Sequence, residues 1–245
     1  MSSIAETLFV DILKDGVNRT SNYMASLTDF HGGPITTEYI LTSDIARAFL
    51  DKGKDVDVEY QNRRLVNNMT VRKGDSSRKE IWGMRTDVVV TEGKLIPVVM
   101  IEVKIRIKRT LGPIKDDLAK MAKTLQCMKA RYAENVRAAS VFQISVSGKA
   151  KGTEINRLKK KLKIIEQKLA DELCLFAKNW PDFQLKLVSL QEENAGFVPT
   201  EILQSIDSFH ELGENGHATR YYAILIQSIR NPTVGTALEQ MKRGD

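Results

Sequence analysis

The sequence predicts an α/β fold, on three observations. Stretches of period-two alternation, which suit strands, are interleaved with stretches of helical period. The composition is that of an ordinary globular chain, 42% apolar and 28% charged, with only 15 Gly and 6 Pro. The length, 245 residues, is enough to bury a sizeable core. Disordered, collagen-like and low-complexity architectures are thereby excluded.

Residues 1–33 are expected to form an N-terminal helical segment. Over 34–50, Pro34, Thr36 and Thr37 give helix-start signals, Leu41, Ile45 and Ala48/Phe49 recur at helical spacing, and Gly53 ends the helix. The run 55–60 alternates as a strand. The stretch 63–79 is polar, with six Lys/Arg against Asp75, and reads as a loop or long hairpin connection. Two strands follow at 85–91 and 97–105, joined by a Glu92-Gly93-Lys94 turn. Pro113 opens a helix at roughly 114–133, which leads into an apolar strand at 138–147. Over 153–178, capped by Gly152-Thr153, Ile155, Leu158, Leu162, Ile165, Leu169, Leu173 and Phe176 form an apolar stripe with the lysines mostly off it. Its 4-4 step breaks a strict heptad, which favours internal packing or a globular dimer interface over a free coiled coil. A strand at 184–190, a short helix at 200–211 and a strand at 220–229 complete the chain. The order over 34–148 is α-β-β-β-α-β, and 149–245 is an α/β extension packed on it.

Other classes fall away. Cys127 and Cys174 build neither a disulfide framework nor a paired-cysteine zinc motif. His31, His210 and His217 lack the i, i+4 spacing of a zinc protease helix. Glu6, Asp11, Lys14 and Asp15 interrupt any apolar leader, and the longest apolar run, 95–101, is too short to span a bilayer. A reduced, soluble, cytoplasmic protein is expected. Gly148-Lys149 follows a strand, but Gln143 and Ala150 stand where a P-loop needs Gly and Ser/Thr. The formal net charge of +6 permits nucleic-acid binding without establishing it.

The informative segment is Asp87 on one strand of the hairpin and Ile101-Glu102-Val103-Lys104 on the other. Residues i and i+2 of a strand share a face, so Glu102 and Lys104 project together and Ile101, Val103 and Ile105 project oppositely. The hairpin brings Asp87 alongside. Burying two carboxylates and an amine among Val and Ile costs several kcal/mol unless they pair or bind a metal. Mg²⁺ suits one or two carboxylates, and Lys104 could then orient the attacking water and neutralise phosphate charge. A solvent-facing Glu102–Lys104 pair is the simpler reading of a bare E-x-K. The hairpin-partner acid and the element order favour a site.

On these residues the chain resembles the PD-(D/E)XK nuclease superfamily over roughly 34–148. Asp87 matches the first acid of the motif, Glu102 the (D/E) and Lys104 the lysine, while Thr86 stands where the motif's Pro would be. The resemblance implies a restriction-endonuclease-like core with a mixed central sheet flanked by helices, and no individual family is singled out. It implies a metal-dependent endodeoxyribonuclease of restriction or defence type, with Mg²⁺ as cofactor and Mn²⁺ able to substitute. Asp87, Glu102 and the Val103 backbone carbonyl would bind the metal. Glu38, on the core-facing stripe of the first helix, would complete or tune the site, with a role at the helix dipole as the rival explanation. Gln126 and Tyr132 resemble the Gln…Tyr pair of exonuclease-like branches, although a polar helix surface explains Gln126 more simply. Arg106, Lys108, Arg109, Lys149 and Lys151 are the expected phosphate contacts. DNA is the expected partner, with RNA left open, and cutting both strands of a duplex calls for a homodimer. The alternative is a catalytically silent nuclease-fold module that binds nucleic acid or a protein.

Overall fold

The computed structural model describes residues 4–28, 38–64, 77–93, 96–107, 110–149, 155–197 and 215–229. The helix expected at 200–211 lies outside them. The chain runs through α1 (Glu6–Thr28), α2 (Glu38–Leu50), β1 (Asp55–Gln61), α3 (Ser77–Trp82), β2 (Arg85–Glu92), β3 (Ile96–Ile107), α4 (Gly112–Cys127), α5 (Ala130–Ala133), β4 (Arg137–Lys149), α6 (Ile155–Ala177), β5 (Phe183–Ser189), β6 (Asn194–Phe197) and β7 (Asn215–Ser228).

Alternation along the strands creates two apolar faces, and each must be covered. On one face, Val89, Met100, Phe142, Ile144, Tyr222, Ile224 and Ile226 lie under α4 and α6. On the other, Val88, Val90, Ile101, Val103, Val141, Tyr221 and Ala223 lie under α1 and α2. The result is an α/β fold with an open, mixed, seven-stranded sheet, ordered β1-β2-β3-β4-β7-β5, with β6 paired to β7. The β3–β4 pair is parallel and spanned by α4, and the other pairs are antiparallel. Strands from 149–245 continue the same sheet, since β7 pairs with β4 from Ala138↔Ile226 to Lys149↔Asn215.

Local chemistry explains the boundaries. Gly53 takes φ +70°. Its N–H donates to the Leu50 carbonyl and that of Lys54 to the Phe49 carbonyl, the Schellman pattern that closes α2. Gly93 takes φ +33° in the β2–β3 turn. Within α1, Gly16 lets α2 approach, because a Cβ there would lie 2.8 Å from the Ile45 Cα. The stripe of α6 packs internally: Leu158, Leu162, Ile165, Leu169 and Leu173 are buried against the sheet.

Several elements differ from expectation. The helix expected over 114–133 breaks at Met128, which is extended (ψ 151°) and buried. The segment has good helix formers, so packing overrides propensity: the break lets Ala133 and Val136 enter the core. A short helix, α3, occupies 77–82 within and beyond the expected loop. Strand β7 begins at Asn215 rather than 220, because the polar run from Asn215 to Thr219 pairs with the end of β4. Strand β6 lacks alternation and was not expected. Among the described residues, no helix is long and apolar enough to cross a membrane.

Candidate functional site

Strand β3 lies inside the sheet, between β2 and β4, so side chains on its middle are covered by a helix layer. Ile101 and Val103 enter the apolar layer under α1 and α2. Glu102 points the other way, toward α4, and is only 2% exposed. A carboxylate in that position needs a cation. Lys120 of α4 supplies one, with Nζ 2.6 Å from Glu102 Oε1. That ammonium also donates to the Arg85 carbonyl at 2.7 Å.

The backbone releases Asp87 from regular pairing. The β2–β3 register ends at Val88↔Ile101. Strand β1 pairs Val58↔Val88 and Tyr60↔Thr86, and Glu59 between them is left-handed at φ 52°. Asp87 Oδ2 accepts a 2.7 Å hydrogen bond from the Val103 N–H, which fixes the carboxylate beside β3. Strained backbone of this kind clusters at functional sites.

Ion pairs extend the cluster. Lys104 Nζ lies 3.4 Å from Glu38 Oε1 and 3.8 Å from Asp117 Oδ2. Asp117 Oδ1 lies 3.8 Å from Lys120 Nζ. The solvent-facing reading of Glu102–Lys104 is therefore corrected: Glu102 pairs with Lys120, and Lys104 with Glu38 and Asp117. Glu38 opens α2 and reaches the site through Lys104, with its side chain 42% exposed.

Burial pushes the Glu102 carboxyl up to about 8, helped by the charges of Asp87 and Asp117 and opposed by Lys120. Burial also raises Asp87, against the Val103 hydrogen bond and the two lysines. Burial alone would lower Lys104, but Asp117, Glu38 and Asp87 outweigh it and hold the ammonium above the ordinary lysine value. Lys104 is thus a fixed positive charge.

Among the described residues, no group of three or more His, Cys, Asp or Glu side chains is arranged to hold a metal ion. The donor chemistry nevertheless fits a hard divalent cation. Four carboxylates face two lysines, so full ionisation leaves two negative charges uncompensated. Among the described residues, Glu102 Oε1 is held by the Lys120 ammonium alone, and the buried Asp117 Oδ2 has only the more distant Lys104 ammonium at 3.8 Å. Mg²⁺ needs only one or two protein carboxylates when waters and a phosphate complete its shell.

Arg106 lies on β3 and Lys149 ends β4, while Lys108, Arg109 and Lys151 lie outside the described residues. Tyr132 packs on the core, and half-buried Gln126 sits ~13 Å along the α4 axis from Asp117. A groove of about 390 Å³ runs between the end of β4 and α6, lined in part by Ser145, Ser147, Lys161 and Lys168. Sequence reasoning missed Asp117 and Lys120. The available signal was two charges set among Ile114, Leu118 and Met121, on the apolar stripe of α4. No protein-family model matches the chain, and neither a curated protein nor a solved structure gives a significant match.

Proposed function

We propose that the chain is a Mg²⁺-dependent nuclease with a restriction-endonuclease-like core of PD-(D/E)XK type, hydrolysing phosphodiester bonds in DNA. The observation that carries this reading is the acid-rich cluster around the buried Glu102, where four carboxylates, Glu38, Asp87, Glu102 and Asp117, meet two lysines. The order α2-β1-β2-β3-α4-β4, interrupted only by the short helices α3 and α5, and the parallel β3–β4 pair also support it. Asp87 and Glu102, with the Val103 carbonyl, would hold the ion, which when bound polarises a phosphoryl oxygen and acidifies a water. Lys104, kept protonated by Glu38 and Asp117, orients the attacking water and stabilises charge developing on the phosphate. Being charged, it does not act as the base. The lysines of the β4–α6 groove and Arg106, Lys108, Arg109, Lys149 and Lys151 offer phosphate contacts. A cytoplasmic homodimer of restriction or defence type suits double-strand cleavage.

The second reading is a silent binding module, and the Lys120–Glu102 pair favours it, because a neutralised Glu102 holds no metal. Cleavage assays on plasmid DNA, linear DNA and RNA, with Mg²⁺, Mn²⁺ or EDTA, separate the two. Metal-dependent cutting is expected, lowered ~10³-fold by Lys104→Ala, about 4 kcal/mol of barrier. Asp87→Ala and Glu102→Ala should also lose it. Full activity in EDTA, or in all three variants, removes the nuclease reading of this site.

A further inference from the structure

We propose that Lys120 is a resident counter-cation of the carboxylate cluster, held against Glu102 in the metal-free protein and displaced from it when a divalent cation binds. The inference deepens the metal-site reading above and rests on it.

The geometry sets Lys120 apart from Lys104. Lys104 lies on β3 and pairs with Glu38 at the rim and Asp117 on α4. Lys120 reaches from α4 to the innermost acid, with its ammonium 2.6 Å from Glu102 Oε1 and 2.7 Å from the Arg85 carbonyl. It therefore ties β3 to β2 two residues before Asp87, the two strands that carry the proposed ligands. Its contact with Glu102 is the shortest ion pair of the cluster, one positive charge on a buried oxygen. A divalent cation offers that oxygen twice the charge.

Displacement leaves the ammonium with partners. The Arg85 carbonyl still accepts its proton, and Asp117, one helical turn earlier on α4, lies 3.8 Å away. A lysine is a compact charge on a flexible stem and can shift between such partners by rotamer change. The side chain is only 17% exposed, so its charge is weakly screened and competes effectively. Lys120 thus satisfies Glu102 between binding events and weakens the apparent metal affinity.

The test is Mn²⁺ binding to the full chain without nucleic acid, followed by the paramagnetic resonance of free Mn²⁺. Lys120→Met should bind at least ten-fold more tightly than the parent, and Glu102→Gln should abolish the gain. Parental binding with equal or weaker binding in Lys120→Met overturns the inference and leaves the metal site standing. No binding in either protein removes the metal site, and the inference with it. Lys120→Gln, which keeps a donor for the Arg85 carbonyl, serves if Lys120→Met does not fold. In the parent protein, acylation of Lys120 followed by mass spectrometry should speed up several-fold at saturating Mn²⁺. An unchanged rate there also overturns the inference.

Discussion

Two faces of one strand make the most instructive comparison in this molecule. Ile101 and Val103 on β3 are fully buried in the apolar layer under α1 and α2. Glu102, between them in sequence and nearly as buried, faces α4 and joins a chain of ion pairs from Glu38 through Lys104, Asp117 and Lys120. Burial is nearly equal, so burial does not mark the site. What marks it is charge buried in excess of its partners, which an apolar layer would never require.

Moving the charge one position breaks the comparison most severely. Ile101→Glu puts the same carboxylate into the apolar layer, between Val88 and Ala139. An unpaired buried charge belongs to the class of substitutions costing about 4 kcal/mol or more. Urea denaturation should find the variant unfolded or barely folded at pH 7. A loss below about 1 kcal/mol would mean that β3 is not packed as described.

The next effect is smaller and reads the charged face itself. The Glu102 carboxyl stands at about 8 in the folded chain against 4.5 when unfolded, because burial disfavours its charge. The folded state therefore binds the proton more readily. Stability in EDTA should be greatest below the unfolded value and fall as pH rises from about 4.5 to about 8, by a few kcal/mol at ~1.4 kcal/mol per unit. Asp87, also raised, adds a drop of the same sign. Glu102→Gln should flatten most of the slope, as read from urea midpoints across pH 5–8, whereas apolar substitutions on the Ile101 face should leave it intact. A parental profile that is already flat would show that Lys120 fully compensates the buried carboxylate.

The same contrast explains what the sequence made legible. Alternation located β2, β3 and β4, and the i, i+2 rule placed Glu102 with Lys104, because both signals are local to one strand. The order of elements over 34–148 was readable for the same reason, with Gly53 and Gly93 marking turns by their backbone freedom. Lys120 and Asp117 were marked only by their place on the apolar stripe of their helix, and their role exists only once α4 lies across β3. The break at Met128 escaped notice because its neighbours favour a helix and only tertiary packing ends it. The first five residues of β7 escaped because pairing with β4 holds polar residues that carry no alternation.

Glu38 gives the smallest expected effect, and it sharpens the boundary of the charged face. Its carboxylate is 42% exposed and lies 3.4 Å from the ammonium of Lys104, itself 34% exposed, so water screens the pair. Exposed ion pairs contribute ~0–1 kcal/mol, and Glu38→Gln should change the urea midpoint by no more than that. Its backbone role survives, since the Glu38 carbonyl still accepts the Thr42 hydroxyl. The electrostatic role does not survive in full. Glu38, which accepts a 3.4 Å hydrogen bond from Lys104, is one of three acids holding that ammonium above its ordinary value, and the less screened one is Asp117, whose side chain is only 16% exposed. Removing the outer acid should therefore lower the Lys104 titration point slightly, and Asp117→Asn should lower it more, as followed by NMR of the labelled lysine. The order of those two shifts is the test. If Glu38→Gln produced the larger one, the cluster would be centred on the solvent-facing end of α2 rather than under α4, and the division of β3 into a dry face and a charged interior would need redrawing.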